Sequence, residues 1–378
     1  MELTSKERML TAMRHCIPDT VPVSPDISNM IPCRLAGKPF SQVYYDNDPP
    51  LWRAYADAVK FFGFDGWQIH ASLNYHYKNA EWSFSNDIVS RSDDRFVLRT
   101  TCHTPAGDLW QETIYYTADP PTLSRKWIKD LKEDMPKLRY MLPEISGYDP
   151  SPLQEQMDYI GDSGVVSGCI SVPGLHDMVL WFDGGVEAAV YAEIDYPEEF
   201  QELVSMQSEH YLQMAEMMID ASPDFFMIGA SGLYTLQSPS HFRRYSLPVI
   251  QKMTKLSREV GLPSFLHSCG KQKELVKIFA EETVLDVVNP LEVPPMGDCN
   301  LAEIKVSYGS KLALMGNIHT TEVMLFGTPE KVREECCKAI EAAAPGGGFI
   351  LSTGDQCGRD TPFENIHAMV ETAREYSY

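Results

Sequence analysis

No run of about 18 or more apolar residues occurs in this sequence, so no membrane-spanning helix is expected. The opening MELTSKERML lacks the apolar core of a secretory signal, and the expected setting is the cytoplasm. Positive charge is scarce. Against 53 Asp and Glu stand 32 Lys and Arg, a formal net charge of −21, and such a surface repels nucleic acid and anionic membranes. Acidity of this order suits solubility or a basic partner. A disulfide framework is also missing: the nine cysteines are odd in number and scattered, and the adjacent pair Cys336 and Cys337 falls in a helical stretch. Reduced thiols and a metal fit better. No internal repeat, low-complexity tail or phosphate-binding glycine motif after a strand is visible, Gly346 to Gly348 being a glycine turn after a helix. What remains is an ordinary globular composition, 44% hydrophobic and 22% charged over 378 residues, enough for one large domain spanning 1–378.

The most informative stretch is GLPSFLHSCG, Gly261 to Gly270, where a short apolar strand runs into a histidine and a cysteine. Side chains alternate along a strand, so His267 and Cys269 are expected on one face at its C-terminal end. Imidazole nitrogen and thiolate sulfur are ligand types that zinc favours. Two further candidates follow other strands: Glu292 in VVNPLEV and Cys357 in STGDQCG. His267, Cys269, Glu292 and Cys357 therefore form a candidate tetrahedral site. Glu292 has an alternative role as a cap for its own loop, because three protein ligands and one exchangeable position already suit a catalytic zinc. A lone His-x-Cys pair is also compatible with a small buried thiol and no metal.

Along the chain, Thr4 to His15 reads as a helix closing one end of the domain. Eight apolar strands are expected at Val21–Asp26, Gly66–His70, Val165–Ser171, Phe225–Ser231, Pro263–Cys269, Val284–Asn289, Lys311–Ile318 and Phe349–Thr353. Helices are expected between them, among these Trp52–Gly63, Glu187–Met218 broken near Tyr196-Pro197, Pro239–Val260, Pro329–Ala344 and Pro362–Tyr376. Between about residues 80 and 120 the pattern changes to alternation, read as an inserted antiparallel β segment of about three strands after the second barrel strand. A helical run over Leu123–Leu142 is expected to bring the chain back. The aromatics of this segment, Trp82, Phe84, Trp110, Tyr115 and Tyr116, either roof a pocket or pack the inserted sheet.

Strands alternating with helices imply a parallel sheet, since every parallel return needs a crossover. Eight units suffice for a (β/α)₈ TIM barrel, an α/β fold whose catalytic groups come from the C-terminal strand ends. Those ends carry Asp26, His70, Ser231, His267, Cys269, Glu292, Asn317, His319 and Cys357. Asp26, His70, Asn317 and His319 are candidates for orienting substrate or moving protons.

Four segments carry a resemblance to a known family: TSKERMLTAMRHCIPDTVPVSPD, LHSCGK, LMGNIHT and FILSTGDQCGRDTPFENIHAMVETAREY. Across nearly the whole chain the sequence resembles the uroporphyrinogen decarboxylase superfamily. The decarboxylase's Gln-Ala-Gly-Arg loop, which grips substrate carboxylates, is replaced here by ISNMIPCRLAGKPF, with Arg34 but not the motif. His267, Cys269 and Cys357 instead match the signature of the zinc-dependent, corrinoid-linked methyltransferase branch. Glu292 stands at a spacing similar to that of the zinc-ligand glutamate of cobalamin-independent methionine synthases.

Membership of that branch implies Zn2+ as cofactor and a corrinoid protein as partner, whose cobalamin exchanges a methyl group with a small methylated substrate over the barrel mouth. The resemblance thus implies a cobalamin-dependent methyltransferase. O-demethylation of a methoxylated aromatic compound is the favoured direction, because the insertion and the barrel loops are rich in Trp, Tyr and Phe. The alternatives are the reverse sense, a methylcobamide:thiol methyltransferase; a decarboxylase of a porphyrin-like substrate; and a non-catalytic zinc-stabilised binding protein. No nucleic-acid or membrane partner is expected, and a homo-oligomer is compatible with the sequence.

Overall fold

The computed structural model describes residues 2–376 and 378. Thirteen strands follow in chain order: β1 Gly66–Ala71, β2 Asn74–Tyr77, β3 Ser83–Arg91, β4 Arg95–Thr104, β5 Gly107–Tyr116, β6 Thr122–Arg125, β7 Ile145–Asp149, β8 Gly164–Ser171, β9 Phe226–Gly229, β10 Ser264–His267, β11 Val287–Asn289, β12 Ala313–Ile318 and β13 Phe349–Thr353. Seven of them form a curled, wholly parallel sheet in the order β1-β8-β9-β10-β11-β12-β13. These are seven of the eight expected barrel strands.

The eighth, expected over Val21–Asp26, is reduced to a single parallel bridge from Val23 to Leu351. Its sequence supplies the reason. Pro22 and Pro25 have no N–H to donate, so a continuous ladder cannot form. The segment still spans the gap between the outer strands. Leu351 N–H donates to Pro22 O at 2.8 Å and Ser24 N–H to Leu351 O at 2.9 Å on the β13 side, while Asp65 N–H donates to Val23 O at 2.8 Å on the β1 side.

The barrel interior is filled by alternate residues of these strands, among them Trp67, Val165, Met227, Phe265, Val287, Met315 and Ile350. Met9, Ala12 and Met13 of the helix Ser5–Met13 join the same cluster. This helix starts at a reciprocal Thr4/Glu7 cap and plugs the end of the barrel opposite the strand C-termini. The outward residues, such as Val166, Ile228, Leu266, Val288 and Leu314, pack beneath the helices in a larger cluster.

The insertion is larger than the alternation indicates. β3 to β6 form a four-stranded antiparallel sheet, and β2 pairs with β7, so the polypeptide leaves and rejoins the barrel side by side. The expected helix over Leu123–Leu142 begins only at Leu131, where the Asp130 carboxylate accepts the Glu133 N–H at 3.0 Å. Upstream of that cap, Thr122–Arg125 pairs with β5, a long-range pairing that overrides local helix preference. The insertion's aromatics pack its own elements. Trp82 meets Phe84 edge-on at 5.0 Å, Phe96 stacks on Tyr115 at 5.1 Å, and Trp110 lies beneath the Arg99 guanidinium at 4.5 Å. Among the described residues no helix is long and apolar enough to cross a membrane.

Candidate functional site at the barrel mouth

β10 ends at His267, so Cys269 is positioned by the turn that follows and not by strand alternation. Ser268 N–H still donates to Asn289 O at 3.0 Å. The backbone then turns at Gly270, whose φ of +88° lies in the left-handed region and whose missing side chain lets Thr235 Oγ1 approach. The Gly270 N–H donates to Glu292 Oε2, which ties the loop after β11 to the loop after β10.

His267 is anchored at the end of β10 by its ring. Its Nδ1 lies 2.6 Å from Asn289 Oδ1, fixing the ring and leaving Nε2 toward the mouth. Burial pulls the imidazole pKa down, but a hydrogen bond with Cys269, the Asp355 charge, the Asn289 contact and the Asp26 charge outweigh it and carry it up to about 9. Asp355 Oδ1 stands 3.9 Å from His267 Nε2. The Cys357 thiol is pushed up to about 12, first by burial and then by the Asp26 charge, with a Thr353 hydrogen bond opposing. Burial raises the Glu292 carboxyl, Asp355 adds to it, and the Gly270 N–H and His267 work against it. Asp26 is raised by burial and by Asp355, with His267 and the Ser28 hydrogen bonds opposing. Asp26 is tied in by three bonds: its N–H donates to Thr353 Oγ1 at 2.9 Å, its Oδ1 accepts from Ser28 N–H at 3.0 Å, and its O accepts from Cys357 N–H at 2.8 Å.

The expected residues divide into two groups. Asp26, His267, Cys269, Glu292 and Cys357 are linked through these bonds and fields at the mouth. The others are engaged with backbone. His70 Nε2 donates to Ser28 O at 2.9 Å, with its pKa lowered by burial. Asn317 Nδ2 donates to Leu291 O at 3.0 Å. His319 Nδ1 accepts from Thr321 and Glu322 N–H at 3.1 and 3.2 Å, capping the next helical turn. Asn317 and His319 also line a cleft of about 610 Å³ bordered by Val293, Asp298 and Lys338, beside the mouth. Asp355 escaped the sequence reading. It lies in the quoted STGDQCG, and its φ of +132°, uncommon for a side chain other than glycine, turns it toward His267.

The donor chemistry fits zinc: one imidazole held through its other nitrogen, two thiols, and a carboxylate that only a backbone N–H holds. Buried acids and thiols crowded without a cation raise one another's pKa, and a divalent ion reverses that cost. Among the described residues, however, no three His, Cys, Asp or Glu side chains are gathered closely enough to hold an ion as they stand.

The sequence profile of the uroporphyrinogen decarboxylase (URO-D) family matches residues 183–376, just over half of the chain and the part that carries β9 to β13. The chain belongs to the URO-D family. Within that family it is similar to the methylcobamide:CoM methyltransferase MtaA of Methanosarcina barkeri, 29% identical over 178 residues, 47% of this chain and 49% of that protein. It is similar also to the methylcobamide:CoM methyltransferase MtbA of Methanosarcina acetivorans, 26% identical over 177 residues, again 47% and 49%. The chain thus spans about half the length of the curated relatives it matches. A solved methyltransferase from Methanosarcina mazei shares the fold over 99% of both chains, with a TM-score of 0.67 at 19% identity. Arg34, the arginine of ISNMIPCRLAGKPF, is engaged with backbone. Its Nη1 donates to Arg359 O at 2.9 Å and Thr361 O at 2.8 Å, and its guanidinium lies 4.2 Å from the Phe363 ring centre.

Proposed function

We propose that this URO-D family protein is a zinc-dependent methyltransferase, moving a methyl group between a small methylated substrate and the cobalt of a separate corrinoid protein. The observation that supports the reading is His267 oriented by Asn289 and hydrogen-bonded with Cys269, with Glu292 tied to the same loop through the Gly270 N–H. His267, Cys269, Glu292 and Cys357 would hold the ion. Bound zinc supplies a Lewis acid that stabilises a departing oxygen anion or keeps a thiol as its thiolate. Asn289 sets the imidazole tautomer and ring plane, and Gly270 N–H steadies the Glu292 carboxylate. Asp26 and Asp355 place negative charge beside His267, the charge pattern that retains a cation. His70, Asn317 and His319 fix the loops on which a substrate rests.

The first reading is removal of a methyl group from a methoxylated aromatic compound; the insertion's aromatics pack its own elements and do not argue for it. The names of the relatives favour the reverse sense, transfer from a methylcobamide to a thiol, and that is the second reading. Decarboxylation is disfavoured by the engagement of Arg34 with Arg359 and Thr361. One assay separates the two senses. Purified protein is mixed with cobalt(I) cobalamin and a panel of methoxyarenes, methylamines and methyl thiols, and the visible spectrum of methyl-cobalt is followed. Methylcobalamin with free thiols tests the opposite direction. Growth of the methyl-cobalt spectrum with a methoxyarene supports the first reading, and demethylation of methylcobalamin by thiols alone supports the second. No methyl transfer in either sense defeats both.

A further inference from the structure

The end of β8 carries a polar group to which the preceding reading gives no role. Ser171 Oγ donates to Asp177 Oδ1 at 2.6 Å, and Tyr211 OH donates to Asp177 Oδ2 at 2.8 Å. Asp177 is 4% exposed, and it lies in the short helix Leu175–Met178 after β8, while Tyr211 comes from the helix Pro197–Asp220 behind the strand. Ser171 is half-buried and is the last residue of β8. In the parallel ladder it stands opposite Gly229, which stands opposite His267. In-register neighbours in a parallel sheet point to the same side, so the Ser171 and His267 side chains share one layer of the mouth, projecting from backbones about 10 Å apart at two strand spacings. Gly229, between them, contributes no side chain. The Cys169 Sγ fills the space that a Cβ of Gly229 would take, so a small aromatic ether that reaches both lies above that sulfur.

We propose that Asp177 and Ser171 form a proton relay serving the oxygen that loses its methyl group, which names the substrate class of the same site as a methyl ether and rests on the methyl-transfer reading. The step balances. The corrinoid of the partner protein would supply the nucleophile that takes the methyl carbon, and the electron pair of the broken C–O bond would stay on oxygen. With Asp177 protonated the 2.6 Å bond runs the other way, the carboxyl donating to Ser171 Oγ and freeing the hydroxyl proton. The departing oxygen takes the Ser171 hydroxyl proton, Ser171 takes the Asp177 carboxyl proton, and Asp177 is later reprotonated from solvent. A phenol with pKa of about 10 is far easier to expel with such a proton than as the bare anion, whereas a methyl thioether has less need of one.

The environment of Asp177 supports the role. Ser171, Tyr211 and the Trp181 indole face it, and none of these carries positive charge. The adjacent His176 is held neutral, its pKa driven down to about 4 mainly by burial. Burial pushes the Asp177 carboxyl up to about 6, with the hydrogen bonds from Ser171, Tyr211 and Trp181 opposing. The acid form is therefore available near neutral pH.

The test measures the pH dependence of methyl-cobalt formation with 2-methoxyphenol and cobalt(I) cobalamin, alongside zinc content and thermal unfolding. In the native protein kcat falls as pH rises through about 6, because the acid form is lost. Ser171→Ala and Asp177→Asn lower kcat by about 100-fold and abolish that limb, with zinc content unchanged, and Ser171→Thr, which keeps a hydroxyl, restores it. Tyr211→Phe removes a bond to the charged form and moves the limb to higher pH. If Ser171→Ala keeps the native limb and rate, the relay is refuted while methyl transfer stands. Turnover with methyl thiols but with no ether refutes the substrate class and the relay together. No methyl transfer by the native protein refutes the underlying reading, and the relay with it.

Discussion

Asp65, at the end of the barrel opposite the mouth, is the residue whose loss should cost most. It is completely buried and accepts from Arg8 Nη1 at 2.9 Å, from Arg374 Nη1 and Nη2 at 2.9 and 3.0 Å, and from Val23 N–H at 2.8 Å. One carboxylate thus ties together the first helix, the last helix and the proline-bounded segment that closes the sheet. Asp65→Asn keeps the shape and removes the charge. Breaking a buried ion pair by removing one partner costs about 3–5 kcal/mol. Two facts place this case at the low end: Arg8 keeps Asp19, at 2.8 and 3.0 Å, and the Arg374 side chain is 30% exposed, so water takes over part of its solvation. We expect a loss of about 3 kcal/mol. An unfolding entropy of about 2.1 cal/mol/K per residue gives roughly 0.8 kcal/mol/K for a chain of this length, so Tm should fall by about 4 °C. Circular dichroism of thermal unfolding reads the shift. Zinc content and methyl transfer at 25 °C should not change, because Asp65 precedes β1 while the site lies beyond the strands' C-terminal ends. A Tm within about 1 °C of the native value, or loss of zinc from an otherwise folded variant, would refute the reasoning.

Three further outcomes are expected. Zinc should be bound at about one per chain and fall sharply in Cys269→Ala and in Cys357→Ala, each of which removes a thiolate ligand, while the barrel stays folded; metal analysis showing full zinc in both variants contradicts the site. Glu292→Gln should retain zinc on the three stronger ligands yet change turnover or substrate affinity; unaltered kinetics would reduce Glu292 to a cap on its loop. Asp19 is held at about 2, because hydrogen bonds from Arg8 and from the Leu3 and Thr20 N–H groups outweigh the opposing effect of burial. A folded pKa below the unfolded value of about 3.9 gives stability that is fully present above that pH and is lost as pH falls toward 2, about 2 kcal/mol in all. Asp19→Asn should therefore be less stable at neutral pH and lose less between pH 4 and 2; an unchanged acid dependence in urea titrations argues against the Arg8 pair.

The barrel strands were legible in the sequence because apolar runs of strand length separated by helical spacing leave one topology, a parallel sheet with crossovers. Phe349–Thr353 matches at both ends, and Ser5–Met13 plugs the barrel end as expected. The placement of His267 at the end of its strand, and of Glu292 and Cys357 just beyond theirs, was legible for the same reason. Other features depended on partners far away in the chain. Whether Val21–Asp26 forms a strand is decided by what its remaining N–H groups can reach, and Val23 reaches the Asp65 carboxylate. Thr122–Arg125 is a strand only because β5 lies beside it. Asp355 reads as loop until its backbone turns it toward His267, and Ser171, Asp177 and Tyr211 come from a strand, a short helix and a long helix with no shared motif. Periodicity reports which face of an element is apolar. The meeting of polar side chains from different elements is set by packing and strand register, which no local pattern records.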